Sequence, residues 1–142
     1  MNMKIATALL PLAAAAMACA GPAPAQTAGC ATVEVENVRP QQGHLMLAAY
    51  ASAEDFGKKP LASLRLPAGE ARMRFVFCGL SGEAVALTLF QDLDSDGRMG
   101  KNVLGVPSEP WGASGTPGAF GPAWDTGKVP LDGRAITVRL SP

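Results

Sequence analysis

Several short stretches of this chain alternate apolar and polar side chains with a period of two, and turn-forming residues separate them. In Thr32-Val33-Glu34-Val35-Glu36 the valines share one face and the glutamates the other. From Ala71 to Phe77, Met73, Phe75 and Phe77 point one way and Arg72 and Arg74 the opposite way. Leu64 and Leu66 alternate with Ser63 and Arg65, which predicts a short edge strand. Val85, Leu87 and Leu89 share a face of the apolar run Ala84 to Phe90. Near the end of the sequence, Ile136, Val138 and Leu140 alternate with Thr137 and Arg139. Only an extended strand sends successive side chains to opposite faces. His44 to Tyr50 is apolar on both faces and predicts a central strand covered on both sides. Turns fall at Pro40-Gln41-Gln42-Gly43, Gly57-Lys58-Lys59-Pro60, Pro67-Ala68-Gly69 and Gly79-Leu80-Ser81-Gly82. A single helical turn, capped by Ser52, is expected to reach Phe56. No longer helical period and no internal repeat is present. Six or seven strands at this spacing predict an all-β, immunoglobulin-like or transthyretin-like sandwich. With 142 residues, 16 of them Gly and 12 Pro, the chain fits one such domain and not two.

Residues 1–25 are set apart from that fold. Lys4 precedes an almost unbroken apolar run, Ile5 to Ala20, too short to span a bilayer comfortably. Small residues follow at Ala23-Pro24-Ala25. This is the pattern of a cleaved secretory signal, with cleavage expected after Ala25 and a single domain over 26–142. Ala16-Met17-Ala18-Cys19 loosely matches a bacterial lipoprotein signal, so lipid anchoring at Cys19 is the alternative. The remaining sequence has no long apolar run, and the expected location is the periplasm or the cell exterior. There the pair left after processing, Cys30 and Cys78, reads as a disulfide.

Charge excludes some functions. The 12 basic and 12 acidic side chains give a net charge of zero, which argues against a nucleic-acid binder, since that needs a basic face to displace counterions. The chain is 48% hydrophobic, ample for a core.

Asp92-Leu93-Asp94-Ser95-Asp96-Gly97-Arg98-Met99-Gly100 is the most informative stretch. Three aspartates two residues apart, then a glycine, form the first half of an EF-hand-type loop. Calcium is a hard cation that takes several oxygens, and alternate side chains turn inward as such a loop curls. Asp92, Asp94 and Asp96 are the expected carboxylate ligands of Ca²⁺, with the backbone carbonyl of Arg98 and the amide oxygen of Asn102 completing the shell. Val103 occupies the twelfth position, where an EF-hand has a bidentate Glu, and no helices flank the loop. The alternative is a solvated turn in which the aspartates cap backbone N–H groups.

From Ala31 to Leu140 the sequence resembles a bacterial exported domain catalogued as domain of unknown function 2141. The resemblance rests on Leu89-Phe90-Gln91-Asp92, Asp94-Ser95-Asp96-Gly97, Asn102 to Pro107, Glu109 to Gly112, and Phe120 to Asp125. Gln91 stands where many members have His, and Gly100 where many place another acidic residue. The resemblance implies a small exported β-sandwich and no particular activity.

Asn102 to Gly127 carries six glycines, four prolines and both tryptophans, within an irregular region of roughly 35 residues. One reading is a flap that closes an end of the sandwich with its aromatics, Trp111, Phe120 and Trp124, turned inward. The other is a ligand face, on which Trp111 and Trp124 would stack against an envelope glycan or peptide.

Catalytic sets are missing from the sequence. His44 is the single histidine, so no multi-His zinc site can form, and Gly112-Ala113-Ser114-Gly115 is not a nucleophile elbow. A non-catalytic binding or structural module is therefore expected. An enzyme of unrecognised type is the alternative, and it would need His44 near a carboxylate such as Asp92, Asp94, Asp96, Glu109 or Asp125.

Overall fold

The computed structural model describes residues 29–118 and 121–142. The expected signal segment 1–25, Cys19 and Phe120 lie outside the described residues. Among the described residues eight strands form two sheets: β1 (Gly29–Glu36), β2 (His44–Tyr50), β3 (Ala62–Pro67), β4 (Arg72–Leu80), β5 (Ala84–Asp92), β6 (Trp111–Ala113), β7 (Lys128–Pro130) and β8 (Ile136–Arg139). A single helical turn, α1 (Trp124–Gly127), precedes β7. One sheet has the order β4-β1-β8, and the other β3-β2-β5-β6, with β7 also paired to β5. β1 and β8 run parallel; the other pairs are antiparallel. The fold is an all-β sandwich.

The alternating residues face where their period puts them. Val33 and Val35 from β1, Phe77 from β4, Ile136 and Val138 from β8, Leu45 and Leu47 from β2, and Val85, Leu87 and Leu89 from β5 form one buried core. Each buried aliphatic side chain of this kind contributes about 1.5–3 kcal/mol. On the outside of the three-stranded sheet the polar partners of the same alternation pair across strands. Glu36 meets Arg72 at 2.8 Å and Arg139 at 2.7 Å, and Glu34 meets Arg74 at 3.3 Å. The hydrogen bond from Arg139, with the charges of Arg139 and Arg72, holds the Glu36 carboxyl below its usual range despite partial desolvation. Cys30 and Cys78 lie opposite each other in β1 and β4 and form a disulfide.

Two expectations need correction. β2 is central, between β3 and β5, but only its inner side chains enter the core. Met46 and Ala48 on its outer face are half-buried, because a two-layer sandwich leaves the outside of each sheet without a covering layer. The long Gly/Pro segment is also less irregular than expected. β6, α1 and β7 lie within it, and β6 extends the five-stranded sheet beyond β5. Gly112 makes this possible, since a Cβ there would strike the backbone of Arg139 in the opposite sheet.

Ser52 caps its turn as expected: its Oγ accepts the Asp55 N–H at 3.2 Å. Phe56 then packs on Tyr50 with ring centroids 5.0 Å apart, covering the lower end of the outer face.

Candidate binding face and acidic loop

Strand register assembles the outer face of the five-stranded sheet. Arg65, Met46, Phe90 and Trp111 form one row across β3, β2, β5 and β6. Ser63, Ala48, Thr88 and Ala113 form the next row, of small side chains. Above the first row, His44 lies opposite Asp92, where β5 runs into the acidic loop. The face is thus bounded at one end by Tyr50 and Phe56 and at the other by the loop.

The loop brings its three aspartates together. Asp92, Asp94 and Asp96 each offer a carboxylate oxygen within 4.8 Å of the others, with Asp92 buried and the other two exposed. Sequence spacing anticipated this convergence. The same carboxylates also organise the turn. Asp92 accepts the N–H groups of Asp96 at 3.2 Å and Gly97 at 2.9 Å, Asp94 accepts that of Asp96 at 3.2 Å, and Asp96 accepts that of Arg98 at 2.7 Å. Crowding has a cost. The Asp96 N–H favours the charged form of Asp94, but desolvation and the neighbouring Asp96, Asp92 and Glu109 outweigh it and raise the Asp94 pKa. Gly43 lets the chain pass close by, at φ +61°, where a Cβ would overlap the Asp92 carbonyl.

Asn102 is occupied elsewhere. Its Oδ1 accepts the N–H groups of Leu104 at 2.9 Å and Val106 at 3.0 Å, closing a separate turn. Sequence reasoning missed the residue that does close the acidic loop, Glu109. It is buried, and its two oxygens accept the Leu93 N–H at 2.7 Å and the Gly100 N–H at 2.8 Å, clamping both ends of the loop. Gln91, at the position where the resemblance expects His, is fully buried and bonded to the backbone of Arg39 and Gln42. It seals the top of the core.

The two tryptophans separate. Trp111, half-buried at the end of its row, lines a largely apolar pocket of about 460 Å³ with Met99, Val106, Pro107 and Pro122. Trp124 is also half-buried but opens α1 and does not line that pocket. Leu104 and Val106 do not fold inward with the flap: they are 83% and 52% exposed, and Val103 beside them is fully exposed.

His44 falls close to the loop. Its Nδ1 lies 3.1 Å from Ser95 Oγ and 3.2 Å from Arg65 Nη2. A guanidinium can only donate, so Nδ1 is an acceptor there and its lone pair is already contested. Ser114 is buried. It accepts the Leu87 N–H at 2.8 Å and donates to the Gly127 carbonyl at 2.5 Å, so it ties β6 to β5 and to α1. No helix among the described residues is long and apolar enough to cross a membrane.

A two-sheet sandwich with an acidic loop at the edge of an open, aromatic-lined sheet face is the class these features define. The family model described as an uncharacterized protein conserved in bacteria (DUF2141) matches residues 33–139, and the chain belongs to that family. No curated protein and no solved structure matches it.

Proposed function

We propose that this chain is an exported, non-catalytic binding module of the bacterial envelope, matured by cleavage after Ala25, with its ligand face at Trp111. The observation that carries the reading is the pocket of about 460 Å³ beside Trp111, on a sheet face that no second layer covers among the described residues. A tryptophan joins a flat apolar surface to one N–H donor, which suits the face of a sugar ring or an apolar side chain of a peptide. The Cys30–Cys78 disulfide supports an oxidising compartment. The contest between Arg65 and Ser95 for His44 Nδ1 supports a structural place for the histidine rather than general-base work.

The acidic loop is the second part of the reading. Asp92, Asp94 and Asp96 hold Ca²⁺, which removes their mutual repulsion and fixes the strand end from which the flap departs. All-oxygen donors suit a hard cation. The test is emission from Trp111 in a Trp124→Phe protein, titrated with envelope glycans and peptides in Ca²⁺. A saturable spectral shift that Trp111→Ala removes supports the reading; emission unchanged by every glycan and peptide refutes it.

A further inference from the structure

A second depression lies on the same face, on the far side of Phe90 from Trp111. It has a volume of about 430 Å³, and Met46, Ala48, Ser63, Arg65, Thr88 and Phe90 line it, with Tyr50 at its lower end. Its floor is low because Ser63, Ala48 and Thr88 follow one another across three strands. Its walls are the larger Met46, Phe90 and Tyr50. β2 is hydrogen-bonded to β3 on one side and to β5 on the other, so the floor presents no row of free backbone groups. The polar side-chain groups lining it are two hydroxyls, the Tyr50 phenol and one guanidinium. That inventory is too sparse for a peptide main chain or a glycan, both of which need many partners. An apolar chain needs none.

Arg65 supplies the charge. Among the described residues no carboxylate lies within ion-pair distance of it, although the acidic loop is near. Its Nη2 donates to His44 Nδ1 at 3.2 Å, and Ser95 Oγ approaches the same nitrogen at 3.1 Å. A guanidinium has five N–H donors, and among the described residues only Nη2 of Arg65 has a hydrogen-bond partner, so donors are left over at the mouth of the groove. A guanidinium fork matches a carboxylate bidentately. A head group of higher charge would meet Asp94 and Asp96, which flank Ser95.

We propose that the groove between β3, β2 and β5 binds a small carboxylate amphiphile, its apolar body on Met46, Ala48, Thr88 and Phe90 and its carboxylate on Arg65. This goes beyond the Trp111 site, which lies in a different pocket. The test compares octanoate with octan-1-ol by NMR titration of the purified, oxidised protein. Octanoate is expected to bind about tenfold more tightly, the worth of one charge-assisted pair. The shifts should fall on Ala48, Ser63 and Thr88. Arg65→Gln should remove that advantage and leave octanol binding unchanged, and Ser63→Trp, on the exposed edge strand, should fill the groove and block both. Trp111→Ala should change neither. Equal affinities for acid and alcohol, indifference to Arg65→Gln, or no binding of either compound would overturn the assignment. None of these results bears on the Trp111 pocket, which fails only by its own titration.

Discussion

Replacing Glu109 by Gln keeps the side chain's shape and removes half of its function. Each carboxylate oxygen now accepts one backbone N–H, from Leu93 at 2.7 Å and from Gly100 at 2.8 Å. An amide has one acceptor oxygen, so either the Leu93 or the Gly100 N–H would face an NH₂ group instead. The bond that survives also loses its charge assistance. A hydrogen bond to a charged group contributes roughly 1.5–3 kcal/mol, and an orphaned buried N–H costs about 1–3 kcal/mol. Because both amides are only partly buried, a destabilisation of about 2–3 kcal/mol is expected, with a fall in Tm on the order of 8–12 °C. Urea unfolding of the oxidised protein at pH 7 gives the first quantity, with an unchanged m-value showing that only stability has moved. Amide exchange at Leu93 and Gly100 locates the effect. A change below about 0.5 kcal/mol, with both amides exchanging as in the parent protein, would refute the clamp.

Other perturbations follow from the same structure. Millimolar Ca²⁺ in place of EDTA should raise Tm, since a ligand at a hundredfold excess over its Kd stabilises by about 2.7 kcal/mol, and Asp94→Ala should abolish the rise; an unchanged melt would leave the aspartates as turn caps only. Glu36 has its pKa lowered below the ordinary 4.5, so its contribution is present above that pH and is lost as pH falls through the folded-state value. Melts across the acid range should therefore fall less steeply for Glu36→Gln than for the parent, and parallel curves would contradict this. Reducing the Cys30–Cys78 bridge, which spans a sequence separation of 48, should cost about 4 kcal/mol by chain entropy, read as a lower urea midpoint; a midpoint that stays in place would show that the bridge constrains little.

Much of the fold was legible because a period of two is hard to imitate. Val33 and Val35, Phe75 and Phe77, and Ile136 and Val138 each announced an inward face and found it. The disulfide was expected on a different ground, as the even pair of cysteines left in an exported chain, and β1 and β4 place Cys30 opposite Cys78. β6 and β7 were not legible. Each is three residues long, and β6 is chosen by what Gly112 permits across the sandwich rather than by its own pattern. The apolar outer face of β2 was misread as a second buried face, because Met46 and Ala48 look the same in sequence whether a layer or a ligand covers them. Within the acidic loop, local spacing brought Asp92, Asp94 and Asp96 together as expected. Glu109 escaped because its role depends on the loop folding back over a gap that no local motif encodes. Arg65, His44 and Ser95 meet for a similar reason: three separate segments converge only through strand register.

The most direct measurement is an amide chemical-shift map of the isotope-labelled, oxidised protein against an envelope extract in Ca²⁺. Shifts gathered on Phe90, Met99, Val106 and Trp111 are the expected result, with the outside of the β4-β1-β8 sheet silent. Shifts scattered over both sheets, or confined to the Glu36, Arg72 and Arg139 side, would contradict a ligand face at Trp111.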